Sequence, residues 1–231
     1  MAKYPLVLLD NDGTLMDFKQ AQAHALFTML EQFGLETGPE VLSAYDAINN
    51  SVWEEFERGE ITKPQLQDKR FVLLAEHLGK KDLDPKEMNL AYTAALGMCT
   101  FEEPGAVDLL KALYGKCTLA VITNGIERVQ NSRYNRSFLK DYIPYLFVSE
   151  AMGAQKPSKD YFDKVFDILK DFDRSDAIIL GDSLTADMAG GKNAGVATCW
   201  YNPKGLKNNT DVVPTYEIKE LSEFLPIVFG E

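Results

Sequence analysis

Three uninterrupted apolar runs, each closed at once by small or polar residues, constrain this chain more than anything else in it: residues 6–9 before Asp10, 119–122 before Thr123 and 177–180 before Gly181. An alternating run would suit a sheet with one wet face. A continuous run instead fits a parallel strand covered by helices on both faces, and helix-length segments separate these three. Residues 196–200 form a fourth, weaker run. The expected fold is α/β, a doubly wound, Rossmann-like parallel sheet. In such sheets ligands bind outside the carboxyl ends of the strands, which is where the polar clusters fall.

More than a hundred residues separate the first two strands, far beyond one crossover helix. From about residue 19 to 93 the pattern is helical, with Ala23, Leu26, Phe27, Leu30 and Phe33 at helical spacing. Gly34, Gly38, Pro39, Gly59 and Gly79 punctuate it into four helices. The expected organisation is therefore an α/β core from residues 1–16 and 97–231, with an all-helical domain, 17–96, inserted between. A chain of 231 residues that is 45% hydrophobic has enough apolar material for both.

A net charge of −11 disfavours nucleic acid and anionic membranes as partners, so an anionic substrate would need a local positive pocket. Cys99, Cys117 and Cys199 are odd in number and lack a CxxC pair, which predicts free thiols in a reducing cytoplasm. The apolar run at residues 5–9 is too short for a signal segment, and no run is long enough to span a membrane. Nothing in the pattern distinguishes a monomer from a homodimer.

After the first strand, strand alternation would put Asp10 and Asp12 on one side of the chain, so that two carboxylates converge. Like charges that close call for a cation or a shared proton. Alone, Asp10-Asn11-Asp12-Gly13-Thr14 serves equally as a turn with an acidic helix cap. Thr123-Asn124-Gly125 offers a hydroxyl and backbone N–H groups near a helix start, an environment for phosphate oxygens or simply a turn. Lys156 precedes Pro157, which suits the first position of a helix running through Tyr161, Phe162, Val165 and Phe166. Asp182 follows the third strand and would face Asp10, with Asp187 beyond it; oxygen ligands of this kind suit Mg²⁺ rather than zinc.

These four elements, in this order, resemble the motifs of the haloacid dehalogenase-like hydrolases. The resemblance implies a Mg²⁺-dependent phosphatase in which Asp10 is the nucleophile, Asp12 the general acid and base with its carbonyl on the metal, and Asp182 a metal ligand. It implies that Thr123 and the Asn124 backbone hold phosphoryl oxygens, that Lys156 neutralises charge on Asp10 and the transferring group, and that Asp187 supports the metal from the second rank. The inserted domain would be the family's helical cap.

Residues 56–62 with Arg70-Phe71, Gln155-Lys156-Pro157 and residues 198–203 are similar to a bacterial group that dephosphorylates pyrimidine and related non-standard nucleoside monophosphates. Gly13 departs from the glutamate frequent in that group. The expected substrate is a small phosphate ester, a pyrimidine nucleoside 5′-monophosphate, with Phe56, Glu60 and Arg70 as candidate base contacts. Four other readings compete. Sugar-phosphate phosphatases and phosphomutases share the core motifs, a dehalogenase would not need Asp12 or Mg²⁺, and a phospho-accepting receiver domain would lack both Asp12 and the insertion.

Overall fold

The structure, a computed structural model, describes residues 2–80 and 82–231. The chain divides into two compact units, Met1–Phe18 with Thr100–Glu231, and Lys19–Cys99.

The first unit is built on a six-stranded parallel sheet of β1 (Leu6–Leu9), β2 (Thr118–Thr123), β3 (Tyr145–Val148), β4 (Ala177–Gly181), β5 (Ala197–Tyr201) and β6 (Tyr216–Ile218). Their spatial order is β3-β2-β1-β4-β5-β6, so β1 is central, with Leu9 opposite Val121 on one side and Leu180 on the other. All four β1 side chains are fully buried, as a continuous apolar run requires. Alternate residues feed two layers: Val7, Leu9, Val121 and Leu180 join one, and Leu6, Leu8, Ile122 and Ile179 the other. Each such side chain removed from water contributes roughly 1.5–3 kcal/mol. The first layer is covered by α5 (Ala106–Leu113), α7 (Leu139–Tyr142) and α11 (Phe224–Phe229), and the second by α9 (Lys159–Ile168) and α10 (Ala189–Ala194). Helix α6 (Glu127–Arg136) follows β2, and the single turn α8 (Ser149–Met152) follows β3.

Two details depart from the sequence reading. Pro157 does not begin the helix: α9 starts at Lys159, because the Ser158 side chain caps it by accepting from the Asp160 N–H. The short edge strand β6 has three residues and carries no apolar run; Thr215 and Thr198 hold its start through mutual N–H to Oγ1 bonds.

The second unit contains α1 (Phe18–Gln32), α2 (Pro39–Glu57), α3 (Lys63–His77) and α4 (Pro85–Leu96), separated near the expected glycines. Proline occupies the first turn of α2, α3 and α4, where a missing N–H costs nothing, and Thr62 and Asp84 cap α3 and α4. In α1 the buried stripe is Ala21, Ala25, Leu26, Met29 and Leu30. Ala23 and Phe27, read as core-facing, are half-buried, because the stripe is rotated by part of a turn. Among the described residues no helix is long and apolar enough to cross a membrane.

Candidate active site

The site grows from the carboxyl ends of β1, β2 and β4. Asp10 leaves β1 with its N–H on the Leu180 carbonyl, 2.9 Å away. Beyond it the chain stops behaving as a strand: the N–H groups of Leu15 and Met16 both return to the Asn11 carbonyl, closing a tight loop. Asp12 makes an isolated parallel bridge to Met16, and its carboxylate is not part of the acidic group that gathers at Asp10. Asp10 instead meets Asp182 and Asp187, with one oxygen of each within 4.8 Å of the others. The Asp12 carboxylate turns toward α6, where Arg133 Nη1 donates to Oδ1 and Gln130 Nε2 donates to Oδ2 at 2.7 Å.

Glycine makes this crowding possible. Gly13 has φ 85°, and a Cβ there would stand 2.6 Å from Asp182 Oδ2. Its place after Asp12 thus answers both a left-handed turn and a close carboxylate. At Gly181 a Cβ would collide with the Asp187 carboxylate.

Lys156 is 2% exposed, and its three N–H bonds are all used: Asp10 Oδ1 at 2.6 Å, Asp187 Oδ1 at 2.6 Å and the Ile122 carbonyl at 2.9 Å. Asn124 sets its backbone. Its Nδ2 donates to the Lys156 carbonyl at 2.8 Å, and its Oδ1 accepts the Lys156 N–H at 2.9 Å. The Thr123 hydroxyl accepts the Gly125 N–H at 3.0 Å, a local turn at the end of β2. Asp187 Oδ2 also accepts the Ser183 N–H at 3.1 Å, which pins the loop after β4. Trp200 on β5 donates its indole N–H to the Asp182 carbonyl at 2.9 Å.

Burial holds the Asp10 carboxyl well above its usual range; Lys156 opposes this, and the Asp187 and Asp182 charges reinforce it. Asp182 is pushed up to about 7 by desolvation and then by Asp187. Because Asp182 keeps an exposed face, like-charge crowding is the firmer of those two causes. Desolvation works against the Lys156 ammonium, yet Asp10 and Asp187 outweigh it and raise its pKa. A raised lysine favours anionic neighbours, whereas a raised carboxyl favours a proton. The conflict is resolved by counting charge: three carboxylates face one ammonium, so Lys156 stays charged and the surplus of about two negative charges is the unstable element. A dication of hard, oxygen-seeking character fits that deficit and that donor set.

Asn11, Gln130 and Arg133 escaped the motif reading. The available signal was helical spacing, which puts residues 130 and 133 on one face of α6; the structure buries both beside Val129. Within the helical unit, the three candidate base contacts are otherwise occupied. Phe56 is core, packed with Val52 and Leu66, and Glu60 pairs with Arg58 at the surface. Arg70 is 1% exposed, donating to Asn49 and Asn89 and lying against the rings of Phe71 and Tyr92.

The parallel sheet, the acids at its central strand ends and the buried lysine define a class, and the family comparison agrees: the haloacid dehalogenase-like hydrolase model matches residues 7–201. The chain belongs to this family and is a hydrolase. It is similar over nearly its whole length to YfnB of Bacillus subtilis, 36% identical with 99% of this chain and 97% of that protein covered. The pyrimidine 5′-nucleotidase YjjG of Escherichia coli is 34% identical, with 96% of each chain covered. The pyrimidine 5′-nucleotidase PynA of Streptococcus pneumoniae is also 34% identical, covering 96% of this chain and 94% of its own. A magnesium-bound crystal structure of YfnB superposes with a TM-score of 0.93 at 35% identity, covering 98% and 99% of the two chains.

Proposed function

We propose that this chain is a Mg²⁺-dependent phosphatase of small phosphate monoesters, acting on nucleoside 5′-monophosphates with pyrimidines favoured. The observation that carries the chemistry is the Asp10–Lys156 pair, buried at the end of the central strand beside Asp182 and Asp187. The substrate class is supported by the two pyrimidine 5′-nucleotidases similar to it along nearly the full chain.

In the first step an Asp10 oxygen attacks phosphorus and the P–O ester bond breaks, while Asp12 gives its proton to the departing oxygen. In the second, Asp12 takes a proton from water as that water attacks phosphorus, and Asp10 leaves as a free carboxylate. Lys156 favours the anionic form of Asp10, orients it, and balances charge as the phosphoryl group transfers. Thr123 and the Asn124 backbone hold phosphoryl oxygens, and the Asn124 side chain fixes the loop that carries Lys156. Asp10, Asp182 and the Asp12 carbonyl would hold Mg²⁺, with Asp187 behind them. Bound there, the ion would supply charge neutralisation for the phosphoryl oxygens. A cytoplasmic location belongs to this reading and is supported by three free cysteines.

The test is a phosphate-release panel of nucleotides and sugar phosphates, with Mg²⁺ and with chelator. Mg²⁺-dependent release with kcat/KM highest for uridine and thymidine monophosphates is expected. Higher kcat/KM on hexose phosphates would overturn the substrate class, and isomerised product without free phosphate would make the chain a mutase.

A further inference from the structure

Helix α6 is mostly polar, and beside Val129 it turns Gln130 and Arg133 inward to 2% and 0% exposure. Burying a guanidinium is costly unless a fixed partner compensates. Both side chains end on the Asp12 carboxylate, Arg133 on Oδ1 and Gln130 on Oδ2. Gln130 is oriented in turn by Asn11, whose Nδ2 donates to Oε1 at 2.6 Å. The residue between the two motif acids thus sets which end of the amide faces Asp12. Gly125 completes the arrangement: a Cβ there would collide with the Gln130 amide, so the glycine of the Thr-Asn-Gly turn is the space through which Gln130 reaches Asp12.

We propose that Asn11, Gln130 and Arg133 are positioning residues for the acid–base steps, fixing the Asp12 carboxylate in one orientation. A carboxylate has about four lone-pair sites, and these donors occupy one on each oxygen. One site per oxygen remains to carry the proton that passes to the leaving oxygen and then to receive the proton from water. The Asp12 side chain is 21% exposed, so the two donors do not seal it from solvent. A misplacement of the proton donor by a fraction of an ångström slows catalysis even when the group itself is intact. The proposal rests on Asp12 as general acid and base.

The experiment uses the full chain carrying Arg133→Met, Arg133→Lys or Gln130→Met, each alone and combined with Asp12→Ala. Turnover is measured on a nucleoside 5′-monophosphate, a poor leaving group, and on 4-nitrophenyl phosphate, a good one, with thermal unfolding alongside. The two Met variants should lose roughly 10- to 100-fold in kcat on the nucleotide, below the roughly 10²–10⁴-fold that general acid–base catalysis contributes in full. KM should stay within about threefold, the loss on the aryl ester should be smaller, and Arg133→Lys should recover part of the nucleotide rate. On the Asp12→Ala background, neither Met variant should lower the aryl rate further. Losses that multiply on that background, or that are equal on both substrates with folding intact, would overturn the proposal. If Arg133→Met does not fold, the neutral and similarly sized Gln130→Met decides alone. If Asp12→Ala by itself loses equally on both substrates, the acid–base reading of Asp12 is what has failed, and the positioning proposal falls with it.

Discussion

Lys156 in the α/β unit and Arg70 in the helical unit are both buried cations, and they are kept in opposite ways. Lys156 faces two carboxylates and a carbonyl, and all three of its N–H bonds are spent. Arg70 has no carboxylate ion pair among the described residues; it donates to two neutral amide oxygens, its Nε is unpartnered, and it lies against two aromatic rings. The first arrangement gathers more negative charge than Lys156 alone offsets. The second is nearly neutral in its demands on its surroundings, and it ties α2, α3 and α4 together through Asn49 and Asn89. On the proposed reading, charge paired against charge belongs to the reacting centre, whereas charge set against dipoles and π faces serves packing.

Lys156→Met should break the comparison hardest. It strands Asp10 and Asp187 without their cation, so turnover should fall by about 10³-fold or more and unfolding stability by roughly 3–5 kcal/mol. Steady-state phosphate release and urea unfolding measure the two effects. A variant retaining turnover within a few-fold would remove Lys156 from the chemistry.

The surplus negative charge predicts a pH dependence with a definite sign. Asp182 is raised to about 7 in the fold from an ordinary value near 3.8, so its proton is held more tightly folded than unfolded. Its contribution to apo stability is therefore fully present below about 4 and is lost as pH rises through about 7. Mg²⁺ competes with that proton. The rise in melting temperature on adding Mg²⁺ should be larger at pH 8 than at pH 5.5, and an equal rise at both would contradict the account.

Gly13→Ala is expected to act on metal affinity before chemistry, because its methyl would press on Asp182 in a left-handed backbone. Calorimetric titration should show Mg²⁺ binding weakened by about 10-fold, the scale of losses seen when a ligand's support is disturbed. Arg70→Met should give the smallest effect. Replacing the cation with an apolar chain of similar length removes bonds to neutral amides and should cost about 1–3 kcal/mol in unfolding. Turnover on 4-nitrophenyl phosphate should stay within about twofold; a loss as large as that of Lys156→Met would erase the contrast between the two cations.

The contrast also explains what the sequence could reveal. Asp10, Asp182 and Thr123 sit where apolar runs end, so the strand pattern itself points to them; Lys156 lies beyond β3 and α8, and only its place before Pro157 marks it in the sequence. The four helices were legible from the punctuation at Gly34, Gly38, Pro39, Gly59 and Gly79; the prolines in the first turns of α3 and α4 add a signal outside that reading. Arg70 and Arg133 lie inside helices, where a basic residue ordinarily marks the solvent face. Their burial depends on partners far along the chain, Asn49 and Asn89 for one and Asp12 for the other. The partners of Asp12 were hidden for a related reason, since Gln130 and Arg133 lie more than a hundred residues along the chain. The short β6 depends on its pairing with β5 rather than on its own three residues.

The central claim is that Asp10 becomes covalently phosphorylated. Mixing the enzyme with Mg²⁺ and a nucleoside 5′-monophosphate, quenching in acid within the first turnover and reducing with borohydride should convert an acyl-phosphorylated aspartate to homoserine. Peptide mapping by mass spectrometry is expected to place homoserine at position 10, with none in Asp10→Asn. Homoserine at another acid, or its absence while phosphate is released at the normal burst rate, would contradict the account.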